Sequence, residues 1–241
     1  MASTITLQNT INFTAGFLFN QPLALGAANE PAITIANVVK QAILGPPFSW
    51  RWNRTIQASF NLTTGVQDYP KAYGTFGFLE KAWLSWAGGA TVKEIAEVVE
   101  LLAAESVQGR PDQQIAAQLD DNAGNITFRV KPAPDAAATY ALTIVQQNKA
   151  TLFSALSGNW GPIPDEMSYL YQYGFLGLAL AFKKDPRSQI YDARFVAHLL
   201  GAQSGLSEMQ KNIFLDKWLA TGLQIQTTAQ RMQQGVQGRA Q

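Results

Sequence analysis

Apolar and polar positions change rhythm three times along this chain. Residues 4–19, TITLQNTINFTAGFLF, alternate imperfectly with period two and are rich in Thr, Ile and Phe, which predicts one or two extended segments. Asn20 to Pro31 reads as loop. From Ala32 to Leu44 the apolar residues Ile35, Val38, Val39 and Ile43 recur at helical spacing, and Gly45, Pro46 and Pro47 end the segment, so a short amphipathic helix is predicted there.

The middle of the chain returns to period two. RTIQASFNL, from Arg54 to Leu62, alternates as a strand and is followed by the turn residues Thr63, Thr64 and Gly65. Phe76 to Trp86 predicts a second strand, and Gln114 to Leu119, Ile126 to Val130 and Thr139 to Val145 three more. Their connections carry Asp121, Asn122, Gly124 and Asn125 in one case and Pro132, Pro134 and Asp135 in the other, so an antiparallel meander is the economical arrangement. Residues 92–105 fit either element. Their Ala, Glu and Leu content, with Ile95, Val98, Val99 and Leu102 on one stripe, favours a helix.

After Asn148 the pattern is helical. Pro164, Asp165 and Glu166 open a helix whose end is marked by Lys183 and Lys184, and Leu170, Tyr171, Phe175, Leu176, Leu178, Leu180 and Phe182 make it apolar nearly all round. That is the signature of a core helix. Asp185 and Pro186 separate it from a second helix presenting Ile190, Ala193, Ala197 and Leu200. A third starts at Ser207, with Gln210 three residues on as a capping box. Unbroken to Met232 it would be roughly 39 Å long. Leu223 to Gln241 holds seven glutamines, two arginines and no acid, a composition for a tail or for a segment that orders on a partner. The expected fold class is α+β: an antiparallel β-region over about 54–147 packed on a helical part from 32–44 and 164–232. A single domain over 32–232 would then follow an extended N-terminal arm, 1–31, and precede a flexible tail, 233–241.

Charge sharpens this picture. Eighteen basic and seventeen acidic residues leave a net +1 in 241 residues, which lacks the footprint of a protein that neutralises many phosphates. Charged residues are 15% of the chain, against about 25% in ordinary soluble domains. From Met1 to Trp50 only Glu30 and Lys40 are charged, so a neighbouring subunit is expected to cover that region. The n-region carries no Lys or Arg, unlike a signal peptide, and the longest apolar run, Gly174 to Phe182, is too short to span a bilayer. Without cysteine the chain has no disulfide, thiolate ligand or Cys nucleophile.

Candidate chemistry is sparse. His198 is the sole histidine and has no acid three or four residues away, so it reads as a packing or surface residue. Asp120 with Asp121, and Glu94, Glu97, Glu100 and Glu105, could hold a hard cation, but a turn and a solvated face account for them. Neither a phosphate-binding glycine loop nor a GxSxG elbow occurs, and no cofactor, metal or catalytic residue is assigned. Phe48, Trp50, Trp52, Tyr69 and Tyr73 fit a sugar- or base-stacking platform, or a core with Arg51 or Arg54 on an indole; the core reading is favoured.

Five motifs follow in order: FSWRWNR at Phe48 to Arg54, FNLTTGVQDYP at Phe60 to Pro70, GRP at Gly109 to Pro111, VKPAPD at Val130 to Asp135, and IPDEMSYLYQYGFLGLALAF at Ile163 to Phe182. This succession resembles the head-to-tail adaptor, or neck, proteins of tailed bacteriophages. The resemblance covers about residues 45–185; the N-terminal arm and the Gln-rich end do not match. It implies a structural virion protein, not an enzyme, forming a ring, twelvefold in that family, between the portal protein and a downstream tail or nozzle protein. DNA would pass through without specific binding. The expected interface residues are Phe13, Phe17, Phe19, Trp50, Trp52, Tyr69, Phe214 and Trp218. A tail or baseplate component, or a carbohydrate-binding module built on Trp50 and Trp52, is the alternative.

Overall fold

The structure, a computed structural model, describes residues 3–17, 23, 25–87, 91–98, 107–119, 125–203 and 205–219. It is a mixed α+β fold with five α-helices and ten strands among those residues. The chain divides into two compact units, Ser49–Ala150 and a second made of Met1–Phe48 with Thr151–Gln241. The β-rich segment is thus inserted in the sequence of the helical one.

The inserted unit is built on one sheet. Its strands are β1 (Arg54–Ile56), β2 (Phe60–Asn61), β3 (Asp68–Lys71), β4 (Phe76–Trp86), β5 (Thr91–Glu97), β6 (Gln108–Gly109), β7 (Gln114–Leu119), β8 (Ile126–Lys131), β9 (Ala133–Pro134) and β10 (Ala141–Asn148). The order is β1-β10-β4-β5-β7-β8-β3, with β2 also on β10, while β6 and β9 form a separate parallel pair. The predicted strands are present, with the one expected over 54–62 broken into β1 and β2, but the meander is not. β10 returns to pair with β4, and β5 runs parallel to β7 through Ala96↔Gln114 and Glu97↔Ile115. β10 takes a central place because Ile144 to Gln147 are buried in succession, as a strand covered on both faces requires.

Residues 91–97 are strand, which corrects the helix expected over 92–105; residues 99–106 lie outside the described part. Pairing with β4 from Trp86↔Thr91 to Ala82↔Ile95 supplies the backbone partners, and Ile95 alone is buried. A helical stripe therefore never forms, because ladder contacts outweigh the modest helix preference of Ala and Glu.

In β4 the inward residues are Phe76, Leu79, Ala82 and Leu84, a broken alternation. Two bulges explain it. Asn148 and Gln147 face Phe76 and Phe78, leaving Gly77 unpaired, and Gln146 and Val145 face Leu79 and Lys81, leaving Glu80 unpaired. A Cβ on Gly77 would lie 2.8 Å from the Gln147 carbonyl oxygen, so the close approach requires glycine. The inward residues join Ile115, Ile126, Phe128, Val130, Leu142 and Ile144 in one core. Each such side chain contributes about 1.5–3 kcal/mol over leaving it exposed.

The helical unit is organised around one central helix. Its helices are α1 (Leu7–Phe17), α2 (Ala32–Leu44), α3 (Ser168–Phe182), α4 (Ser188–Gly201) and α5 (Glu208–Leu219). As expected, α3 is buried nearly all round; it packs against α1, α2 and α4. A Cβ on Gly174 would sit 2.8 Å from Val39 Cγ1 and 3.0 Å from two ring carbons of Phe195. That glycine is what lets α2 and α4 close on α3.

Three sequence expectations change here. The segment 4–19 is not an extended arm: residues 7–17 are helix, with Leu7, Thr10, Ile11 and Thr14 buried at helical spacing. Two of these four are threonines, so hydropathy hides the period. Thr14 Oγ1 donates to the Ile11 carbonyl at 2.8 Å, and Thr10 Oγ1 accepts from Trp160 Nε1 at 2.8 Å. On α4 the buried face is Asp192, Phe195 and Leu199, while Ile190 is 55% exposed. Asp192 can lie inside because it accepts a hydrogen bond from Trp218 Nε1 at 2.7 Å. The capping box that opens α5 is formed: Ser207 N donates to Gln210 Oε1 at 2.9 Å and Gln210 N to Ser207 Oγ at 3.2 Å. A long C-terminal helix is not seen; α5 is described to Leu219, and the expected continuation to Met232 lies outside the described residues.

Candidate interaction surface

Helix α1 turns its polar-patterned side outward, and on that side stand two phenylalanines. Phe13 and Phe17, four residues apart, place ring centroids 5.3 Å from each other and are 40% and 37% exposed. Phe17 meets Tyr191 of α4 edge-on at 5.9 Å. Tyr191 continues to Tyr173 of α3 at 6.2 Å, and Tyr173 to the His198 ring at 5.4 Å with the planes 7° apart. Tyr169, one turn before Tyr173, completes the row 5.3 Å from His198. Six rings from three helices thus form a ribbon, and none of them is buried.

The ribbon is nearly free of charge. The Arg194 guanidinium lies 5.5 Å from the Tyr191 ring centre, a cation–π contact. Asp192, next in sequence to Tyr191, points inward to Trp218 and adds no charge outside. Neighbouring aromatic pairs contribute about 0.5–1.5 kcal/mol each beyond area burial. The open ring area is the larger quantity: covering half of a ring side chain of about 200 Å² removes about 100 Å² from water, or about 2.5 kcal/mol. The arrangement can therefore receive a protein surface. Among the described residues His198 makes its ring contacts with Tyr169 and Tyr173. The depression of 440 Å³ beside it is lined by Tyr169, Ala197, His198, Gly201 and Ala202.

Two of the eight predicted interface residues, Phe13 and Phe17, fall on this surface. Phe19 lies outside the described residues. Trp50 is 3% exposed, stacked on the half-buried Trp52 at 5.1 Å, which leaves no open indole face for a sugar on Trp50. Tyr69, Phe214 and Trp218 are interior as well. Phe214 meets Phe48 at 4.8 Å, and Trp218 meets Phe195 at 4.8 Å. Trp50 and Tyr69 pack in the core, as the favoured reading of the Trp–Tyr cluster has it. Arg54 pairs with Glu80 at the second β4 bulge, and the Arg110 guanidinium lies 5.0 Å from the Trp86 ring centre. Sequence reasoning missed Tyr169, Tyr173, Tyr191 and His198. Their signal was present as aromatic pairs at i,i+4 on α3 and i,i+7 on α4.

Glu94 pairs across strands with Lys81 at 3.1 Å; Asp120, Asp121, Glu100 and Glu105 lie outside the described residues. A polar hollow of the inserted unit, 600 Å³, includes Trp86, Arg110, Asp112, Asp135 and Tyr140. Asp112 binds Arg110 at 2.6 Å and Lys93 at 3.1 Å; burial alone would raise its pKa, but these bonds hold it below the usual value. Burial, then the hydrogen bond to Asp135, pushes the Tyr140 phenol up to about 12. These groups satisfy one another. Among the described residues no cluster of three His or acidic side chains could hold a metal, and no helix is long and apolar enough to cross a membrane.

No protein-family model matches the chain, and no curated protein matches it in sequence.

Proposed function

We propose that this chain is a structural assembly subunit, a ring-forming head-to-tail adaptor of a tailed bacteriophage, with the aromatic ribbon as a face covered by a neighbouring subunit. The observation that carries the assembly reading is the ribbon itself: six adjoining, partly exposed rings from three helices. Interface cores are enriched in aromatic residues and depleted of charge, and this surface has that composition. The ordered motifs of residues 45–185 supply the more specific part, a ring, twelvefold by resemblance, between the portal and a downstream tail or nozzle protein. A tail or baseplate component would use the same surface. The near-neutral chain suits a conduit that lets DNA slide.

Light scattering behind size exclusion, with negative-stain images of the same fractions, tests the reading. Rings, alone or on addition of a portal protein, are the expected result. A chain that stays monomeric with and without a portal protein would overturn it.

A further inference from the structure

Lys40 is a lysine in the wrong place for an ordinary surface cation. It sits on the inner side of α2 and is 2% exposed. Its Nζ donates to the Asn159 carbonyl at 3.1 Å and lies 4.5 Å from the centre of the Phe153 ring. No acid pairs with it among the described residues, and burial draws its pKa down from 10.5 to about 8. A buried ammonium with one carbonyl and one ring face still has donor capacity, and buried cations are normally paired.

The space above Lys40 is a formed pocket. Its wall, residues 151–161, is fastened from two sides. Asn37 exchanges two hydrogen bonds with the Phe153 backbone, at 2.7 and 3.2 Å. The first turn of α1 donates Leu7 N to Gly158 O at 2.9 Å and Gln8 N to Leu156 O at 3.0 Å. Gly158 has no room for a side chain, since a Cβ there would lie 2.9 Å from the Phe153 ring. The hollow measures 450 Å³ and is lined by Lys40, Thr151, Leu152, Ser154 and Ser157 among others. Three hydroxyl residues and the 50%-exposed Leu152 share the lining of this hollow with Lys40.

From this geometry we propose that the Lys40 pocket binds a carboxylate group carried on a short apolar stem. A single point cation matches a monoanion, whereas a phosphate dianion calls for a fork of arginine donors or several cations. Ser154, Ser157 and Thr151 offer hydroxyl donors to the second oxygen, and Leu152 gives the stem an apolar side. The carboxylate comes from a free organic acid or from an acidic side chain of a second copy of this chain; the chemistry recognised is the same. The inference does not rest on the adaptor reading.

The test is pulsed acylation of the full chain near neutral pH, with lysine reactivity read site by site by mass spectrometry. A bound carboxylate raises the ammonium pKa by about one unit or more, so acetate should slow labelling of Lys40 about tenfold against chloride at equal ionic strength. The other lysines should not change. Ser154→Ala with Ser157→Ala, an exposed pair, should weaken that protection. Protection that appears on concentrating the chain without acetate assigns the carboxylate to a second copy. Protection by acetate alone assigns it to a free acid. The proposal fails if acetate acts no differently from chloride, if inorganic phosphate protects better, or if Lys40 stays unlabelled throughout while exposed lysines react.

Discussion

At the scale of single residues the decisive groups are polar ones held inside. The Tyr69 hydroxyl donates to the Val66 carbonyl at 2.7 Å and accepts from Thr63 N at 3.0 Å, closing the turn in which Gly65 takes φ +74°. Tyr69→Phe leaves Thr63 N without that acceptor and should cost about 1–2 kcal/mol, read as a lower urea midpoint by intrinsic fluorescence. The motif TTGVQDYP marked this turn, but only the folded chain assigns its tyrosine to the turn instead of to an interface. Lys40 gives a pH-dependent prediction. Folded Lys40 releases its proton near pH 8 while the unfolded chain holds it to about 10.5, so the unfolded state binds more protons in that window and stability rises with pH across it. Lys40→Met removes the buried charge. It should stabilise the chain by about 1 kcal/mol below pH 8, net of the lost Asn159 bond, or about 2–4 °C in Tm, and the gain should shrink towards pH 10.5. A Tm difference that is flat with pH, or a destabilised variant, would contradict the assignment of an unpaired ammonium.

Elements were legible in proportion to how much of their partnering is local. Helix α3 announces itself by apolar residues on every side, and α5 by a capping box whose two bonds form within four residues. The strands of the inserted unit alternate visibly where one face is buried. Helix α1 was misread because its buried stripe includes Thr10 and Thr14, whose hydroxyls are satisfied by a distant Trp160 and by its own backbone. β5 was misread because its residues favour a helix until a hairpin partner is present. Glycines on two helices make a paired test of packing. Gly174→Ala drives a methyl against Val39 and Phe195 and should cost about 1–3 kcal/mol by overpacking. Gly16→Ala in α1, with nothing within 4 Å of the new Cβ, should be neutral or stabilise by up to about 1 kcal/mol. Thermal melts of the two variants in opposite directions are the expected result.

At the scale of the whole molecule the nearly uncharged N-terminal region is not a free arm. Leu7 and Ile11 are part of the helical unit, and Ser3 and Thr4 hold Asp165 through hydrogen bonds that keep its carboxyl at about 2. Removing this region should therefore unfold the helical unit, so point changes test the interface better. Phe13→Ser with Phe17→Ser should leave Tm within a few degrees, since both rings are partly in water, yet reduce self-association at least tenfold by light scattering if a subunit covers them. Unchanged association in a folded double variant would remove the ribbon from the interface. Sequence alone determined the α+β content, the core helix and the turn after Leu62, because these rest on local spacing and on which residue types are present. Tertiary structure decided the rest: the strand order, the helix at the N-terminus, the six-ring ribbon and the charge buried at Lys40. Each of these depends on partners more than a hundred residues away or on another element, and no local pattern encodes such a neighbour.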